Sequence, residues 1–217
     1  MTTAAPPHPP IWNLPNQLTA SRFVLALVLF VLIELDAWKS CLVVFVVATF
    51  TDWLDGYLAR RQGLTSTLGR NLDPLVDKVL VCGAYIFLLP EGYPKESGGW
   101  LQPWMVVLVV ARELVITGLR GFMENIGAKF GADWLGKIKM VLQCAALIAI
   151  FVTLEAQREQ SEHVSWMRPT RDASIWAMLA TTLLSGLQYL WRAASVLRNP
   201  PTAYEPEASA TDPGVRR

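Results

Sequence analysis

Apolar residues run in blocks separated by short polar stretches, and the blocks approach the roughly 20 residues that a helix needs to cross a bilayer. The first block covers residues 18–35, and the second begins at Trp38, its purely apolar part ending at Phe50. A third follows over 74–89, a polar turn over 92–99, a fourth block over 101–124 and a fifth over 134–154. The polar segment 155–172 leads to a sixth block over 174–196. Residues 11–17, with Trp12 and Leu14 apolar, suit a short interfacial segment ahead of the first span. Residues 1–11 are Pro-rich and 198–217 are rich in Pro and Ala, so both predict disordered tails around a domain at 12–197. The pattern therefore predicts an all-α, polytopic membrane protein with six transmembrane helices and a short N-terminal interfacial segment.

Composition agrees: of 217 residues 53% are apolar and only 17% charged. A formal net charge of +1 gives no reason to expect nucleic acid as a partner. Basic residues supply an orientation. With both termini inside, Arg60, Arg61, Arg70, Lys78, Arg120, Lys129, Lys137, Lys139, Arg192 and Arg198 fall on the inner side. Lys39, Lys95, Arg158, Arg168 and Arg171 fall outside, and the excess places the termini in the cytoplasm. The first basic residue is Arg22, so the basic region of a signal peptide is missing and the mature chain is expected to start at Met1. Trp12, Trp38, Trp100, Trp104, Trp134, Trp176 and Trp191 lie near predicted span ends, as interfacial anchors do. Cys41, Cys82 and Cys144 each sit in an apolar block and read as buried small hydrophobes, and His8 and His163 read as solvated.

One segment breaks the apolar pattern with chemistry. It reads Asp52-x-x-Asp55-Gly56-x-x-Ala59-Arg60, then Gly69-x-x-x-Asp73-x-x-x-Asp77. If the second helix continues through it, Asp52 and Asp55 are neighbours on one face, and Gly69, Asp73 and Asp77 share a face of the third. The apolar run 37–51 is about 22 Å long as a helix, against a hydrocarbon core of about 30 Å. The first carboxylates are thus reached before the helix has left the membrane, where charge is costly and marks function. Crowded carboxylates repel and take up protons unless compensated. Arg60 and Lys78 compensate in part, and divalent ions such as Mg²⁺ or Mn²⁺ do so better, four carboxylates being enough for two of them. Gly56 and Ala59 leave room for a ligand against the backbone, and Arg60 offers a fork to a phosphate. Two other readings stay open here: helix packing through the small residues, and a non-enzymatic cation or proton carrier, whose carboxylates would be scattered through the membrane depth.

From Asp52 to Asp77 the pattern resembles, position for position, the signature of the CDP-alcohol phosphatidyltransferases. The resemblance implies a six-helix, usually homodimeric enzyme of phospholipid biosynthesis in the inner (cytoplasmic) membrane, its active site facing the cytoplasm. Such enzymes displace CMP from a CDP-linked lipid with an alcohol. By position, Asp52, Asp55, Asp73 and Asp77 would bind two metal ions, with Asp77 also the general base. Gly56, Ala59, Arg60 and Gly69 would line the site for the CDP-lipid.

The choice of alcohol must lie elsewhere. Arg112 and Glu113 stand in mid-span, and Arg120 follows eight residues on, about 80° around the helix. Lys137 and Lys139 open the fifth block, about 200° apart on an ideal helix. This cationic group suits an acceptor that already carries a phosphate. Thr19 and Arg22 are two further candidates, Thr19 having the alternative of bonding its local backbone. Residues 13–22, 111–120 and 136–139 resemble the branch of the family that makes phosphatidylglycerophosphate from CDP-diacylglycerol and glycerol 3-phosphate. The chain departs at Met140, where that branch is expected to carry Thr. Other acceptors used in the family are inositol phosphate, serine and phosphatidylglycerol.

Overall fold

The computed structural model describes residues 14–62, 67–93, 99–125 and 134–198, with side chains for all of these except 14–16, 18, 52–62, 67–74, 124–125 and 197. Among the described residues the chain forms seven helices and no strand: α1 (Leu14–Glu34), α2 (Trp38–Gln62), α3 (Thr67–Phe87), α4 (Leu89–Gly92), α5 (Pro103–Asn125), α6 (Trp134–Arg158) and α7 (Val164–Arg198). Each apolar block thus becomes one long helix, and the all-α prediction holds.

Two chain reversals share one device. After α1, Asp36 takes a positive φ of 53°, its N–H bonding the Ile33 carbonyl and that of Ala37 the Leu32 carbonyl. After α6, Gln160 does the same at φ 52°, with bonds from Gln160 to Gln157 and from Ser161 to Ala156. This left-handed cap satisfies the last carbonyls of each helix. The two reversals are tied together: the Arg158 guanidinium donates to the Asp36 carbonyl, and Glu155 accepts the Lys39 N–H at 3.1 Å in the first turn of α2. A carboxylate there also complements the helix N-terminus.

The six long helices close into a ring in the order α1, α2, α6, α7, α5, α3 and back to α1, with α3 also reaching α6 across the interior. The interior is apolar and continuous, running through Leu29, Phe45, Leu80, Val109, Ile150 and Ile175. Phe45 meets Phe151 at 6.0 Å between ring centroids, and the Tyr85 hydroxyl donates to the Gln143 carbonyl at 3.0 Å. Outward faces are apolar too: Val31, Val43, Phe50, Val107, Leu114 and Leu187 are all exposed. Soluble monomers rarely expose so much apolar surface, whereas lipid-facing helices require it. Trp134–Arg158 and Val164–Val196 are each long and apolar enough to cross a membrane, and Trp38–Thr51 is a shorter apolar stretch. In α5, by contrast, Arg112, Glu113 and Arg120 interrupt the apolar run.

The α1–α3 seam depends on one glycine. Phe30 stacks on Phe87 at 4.8 Å with rings 4° from parallel, and a Cβ on Gly83 would lie 2.2 Å from Phe30 Cζ. Gly83→Leu is therefore expected to destabilise the fold by about 1–3 kcal/mol through overpacking. Thermal unfolding in detergent reads this as a lowered Tm, and an unchanged Tm would show that the Phe30 ring moves aside freely.

Four expectations need correction. Residues 14–17 join α1 directly, so no separate interfacial segment is found among the described residues, and 11–13 lie outside them. Gly92, expected to open a polar turn over 92–99, instead ends the single-turn helix α4, and 94–98 lie outside the described residues. The connection expected over 155–172 shrinks, because α6 runs to Arg158 and α7 begins at Val164. Its polar residues masked a helix that tolerates Pro169 inside it. Arg171 gives that segment its anchor: the side chain is buried, bonds Asp172 at 2.8 Å and lies 4.4 Å over the Trp100 ring. Trp38 is buried in the core, unlike the exposed Trp104, Trp134, Trp176 and Trp191. The three cysteines are free, Cys41 and Cys82 buried and Cys144 partly so, and His163 is exposed.

Candidate active site

α2 continues unbroken through Asp52, Asp55, Gly56, Ala59 and Arg60 to Gln62, and α3 carries Gly69, Asp73 and Asp77 on one uninterrupted helix. Spacings of three and four therefore place each pair of aspartates on one helix face. The side chains of 52–62 and 67–74 lie outside the described residues, so of the four aspartates only Asp77 is described to its carboxylate. It is half-buried. Four aspartates are a donor set of carboxylate oxygens alone, the chemistry that suits a hard divalent ion.

Above Asp77 the structure gathers charge. Lys139, 5% exposed, donates from Nζ to Oε1 of Glu113, itself 8% exposed. Arg112 Nη1 donates to the same oxygen at 3.1 Å, so one carboxylate oxygen serves two cations. Arg112 Nη2 donates to Ser185 Oγ at 2.9 Å, and Ser185 donates onward to the Thr182 carbonyl at 3.1 Å. Arg120 Nη2 donates to the Tyr189 hydroxyl at 2.6 Å. Both guanidiniums also face the Tyr189 ring, with Cζ 5.8 Å from its centroid for Arg112 and 5.5 Å for Arg120.

The ring order explains how this cluster forms. α5 and α6 both pack against α7. Glu113 and Lys139 therefore join across the interior, while Ser185 and Tyr189 come from the helix between them. Lys78 on α3 is within electrostatic reach of Asp77, Arg120 and Arg112, and Lys139 is within reach of Asp77 and Lys78. The cations and the last aspartate of the motif thus share one region of the bundle. Lys139 and Glu155 are roughly 24 Å apart along α6, so this region is at the opposite end from the Arg158–Asp36 tie. Desolvated charges of this kind are strongly destabilising if one partner is removed. Arg112 Nε and Gln143 Nε2 are buried donors with no acceptor among the described residues, and Gln143 lies one turn beyond Lys139 on α6. A site rich in spare donors suits an anion with several oxygens.

Other candidates separate. α6 is a regular helix from Trp134, so Lys139 points inward and Lys137 is exposed. Met140 is also exposed, so the departure from the expected Thr falls away from the cluster. Thr19 and Arg22 are both buried on α1, at 5% and 2% exposure. Ser185 and Tyr189 were not among the sequence candidates. Their signal was present as a polar stripe in an apolar helix, Thr182, Ser185 and Tyr189 repeating at three and four.

Comparison with known proteins bears on the same residues. A protein called CDP-diacylglycerol--glycerol-3-phosphate 3-phosphatidyltransferase from Bacillus subtilis (strain 168) is 33% identical over 195 residues, covering 82% of this chain and 94% of that protein. One of the same name from Salmonella choleraesuis (strain SC-B67) is 33% identical over 184 residues, 82% of this chain and 93% of the relative. A third, from Yersinia pestis (strain Pestoides F), is 36% identical over 143 residues, 64% of this chain and 76% of the relative. The family model for CDP-alcohol phosphatidyltransferase matches residues 12–186, a stretch that holds the aspartate motif, the arginines of α5, Lys139 and Ser185. With the motif, the helical bundle and the match all running through the same residues, the chain belongs to the CDP-alcohol phosphatidyltransferase family.

Proposed function

We propose that this chain transfers the phosphatidyl group of CDP-diacylglycerol to glycerol 3-phosphate, giving phosphatidylglycerophosphate and CMP. The observation that carries the acceptor is the cluster of buried Lys139, half-buried Arg112 and exposed Arg120, with Lys139 within electrostatic reach of Asp77. Glu113 supplies one negative charge against these three cations, so a neutral alcohol would leave an excess of positive charge, whereas a phosphate monoester offsets it and accepts several hydrogen bonds.

Asp77 accepts the proton of the attacking hydroxyl of glycerol 3-phosphate. The hydroxyl oxygen forms a bond to the lipid-bearing phosphorus as the bond from that phosphorus to the CMP oxygen breaks. Arg112, Arg120 and Lys139 hold the acceptor phosphate, which fixes the hydroxyl beside Asp77. Thr19 and Arg22, buried on α1, belong to the wider acceptor site, while Lys137 on the outer face of α6 does not. Gly56, Ala59, Arg60 and Gly69 receive the CDP-lipid. Asp52, Asp55, Asp73 and Asp77 would hold two divalent ions, Mg²⁺ or Mn²⁺, which supply positive charge to the phosphoryl oxygens when bound.

The same reading has the six long helices spanning the inner membrane as a homodimer, with the site open to the cytoplasm. Their apolar outward faces support the spans, and the excess of basic residues at the inner side supports the orientation. The test is incorporation of labelled acceptor into lipid by the purified chain with CDP-diacylglycerol and Mg²⁺. Glycerol 3-phosphate is expected to be the preferred acceptor in a panel with inositol phosphate, serine and phosphatidylglycerol. Preference for serine, which carries no phosphate, would overturn the assignment of the cation cluster.

A further inference from the structure

We propose that Tyr189 is a positioning residue that holds Arg112 and Arg120 together as one phosphate clamp; this rests on the acceptor site described above. The two arginines are eight residues apart on α5, about 80° around the helix, so the helix alone does not aim them at one point. They also carry like charge and lie close enough to act on each other electrostatically. Left to itself, an exposed arginine near a helix end extends toward water along its flexible stem. Arg120 is exposed on its helix, yet its guanidinium turns to Tyr189 and donates to the hydroxyl at 2.6 Å.

Tyr189 is suited to that task. It is 3% exposed and comes from α7, the helix between α5 and α6 in the ring. Its ring attracts both guanidiniums, at 5.8 and 5.5 Å, so its negative face offsets their repulsion without adding a carboxylate that would compete with phosphate. An aromatic side chain has two torsions and little freedom once buried. One turn earlier on the same helix, Ser185 takes the other side of the Arg112 fork. Glu113, by contrast, is a resident anion that balances Arg112 and Lys139. The division of labour is clear: a carboxylate compensates the deep pair, and a neutral ring gathers the outer arginine without spending its charge.

The test measures KM for glycerol 3-phosphate, KM for CDP-diacylglycerol and kcat in purified full-length Tyr189→Phe, Tyr189→Leu and Arg112→Ala. Tyr189→Phe keeps the ring and loses the bond to Arg120; its acceptor KM is expected to rise about threefold. Tyr189→Leu loses both contacts and is expected to raise it about tenfold. kcat and the CDP-diacylglycerol KM are expected to stay within about twofold, since a merely structural role would reduce the active fraction and therefore kcat. A rise with Arg112→Ala but none with Tyr189→Leu overturns the positioning role alone. No rise with Arg112→Ala overturns the acceptor site and this inference with it. Failure of the native chain to use glycerol 3-phosphate is read separately, from the acceptor panel.

Discussion

Asp77→Asn is expected to reduce lipid product formation by about 10²–10⁴-fold, the usual contribution of a positioned general base. The substitution keeps the size of the side chain, while an amide neither accepts the hydroxyl proton nor retains the negative charge. Asp77 is half-buried and shares its electrostatic surroundings with Lys78 and Lys139, so its charge matters to the cluster as well as to the proposed proton transfer. The measurement is the initial rate with labelled glycerol 3-phosphate at saturating CDP-diacylglycerol, alongside thermal unfolding to show an intact fold. Activity near that of the native chain would remove Asp77 from the mechanism.

Arg112→Ala is expected to lower kcat/KM for glycerol 3-phosphate by about 30-fold or more, with most of the change in KM. Truncating one member of a desolvated, hydrogen-bonded charge pair removes roughly 2–5 kcal/mol of interaction. The variant loses the Arg112 bonds to Glu113 and Ser185 and leaves Glu113 bonded to Lys139. Arg112→Lys is expected to recover little. The arginine reaches Glu113 with one terminal nitrogen and Ser185 with the other, and an ammonium on a flexible stem does not reproduce that planar fork. A fall confined to kcat, with the acceptor KM unchanged, would place Arg112 outside the acceptor site.

Much of the architecture was legible before any coordinates. Apolar blocks and helices coincide because a chain in lipid has to satisfy its backbone internally, which couples hydropathy tightly to helix formation. The start of α7 was not legible. Its first turns are polar and contain Pro169, and what secures them is Arg171 against Trp100 from the loop before α5, a contact far away in sequence. For the site, aspartate spacing and the charges of α5 were readable because charge in an apolar run is conspicuous. Arg112 and Lys139 stood out on that ground. Ser185 and Tyr189 did not, since a serine and a tyrosine in an apolar helix have many uses, and only the packing of α7 between α5 and α6 distinguishes them. Regularity of α6 separated Lys139 from Lys137, a choice that helical angle alone had posed and left open.

The ring order also sets when the site comes into existence. α2 closes against α6, and α3 reaches α5 and α6, so the seams formed by Phe45 with Phe151 and Tyr85 with Gln143 join the first half of the chain to the second. During synthesis the early helices are made before the partners that cover their inner faces exist. Ser185 and Tyr189 arrive last, and with them the groups that orient the α5 arginines. A nascent chain halted before α7 carries the whole aspartate signature yet lacks these two supports. On the proposed reading, competence for the phosphorylated acceptor is acquired only once α7 has been made, because a shorter chain lacks the complete clamp with which to engage that substrate.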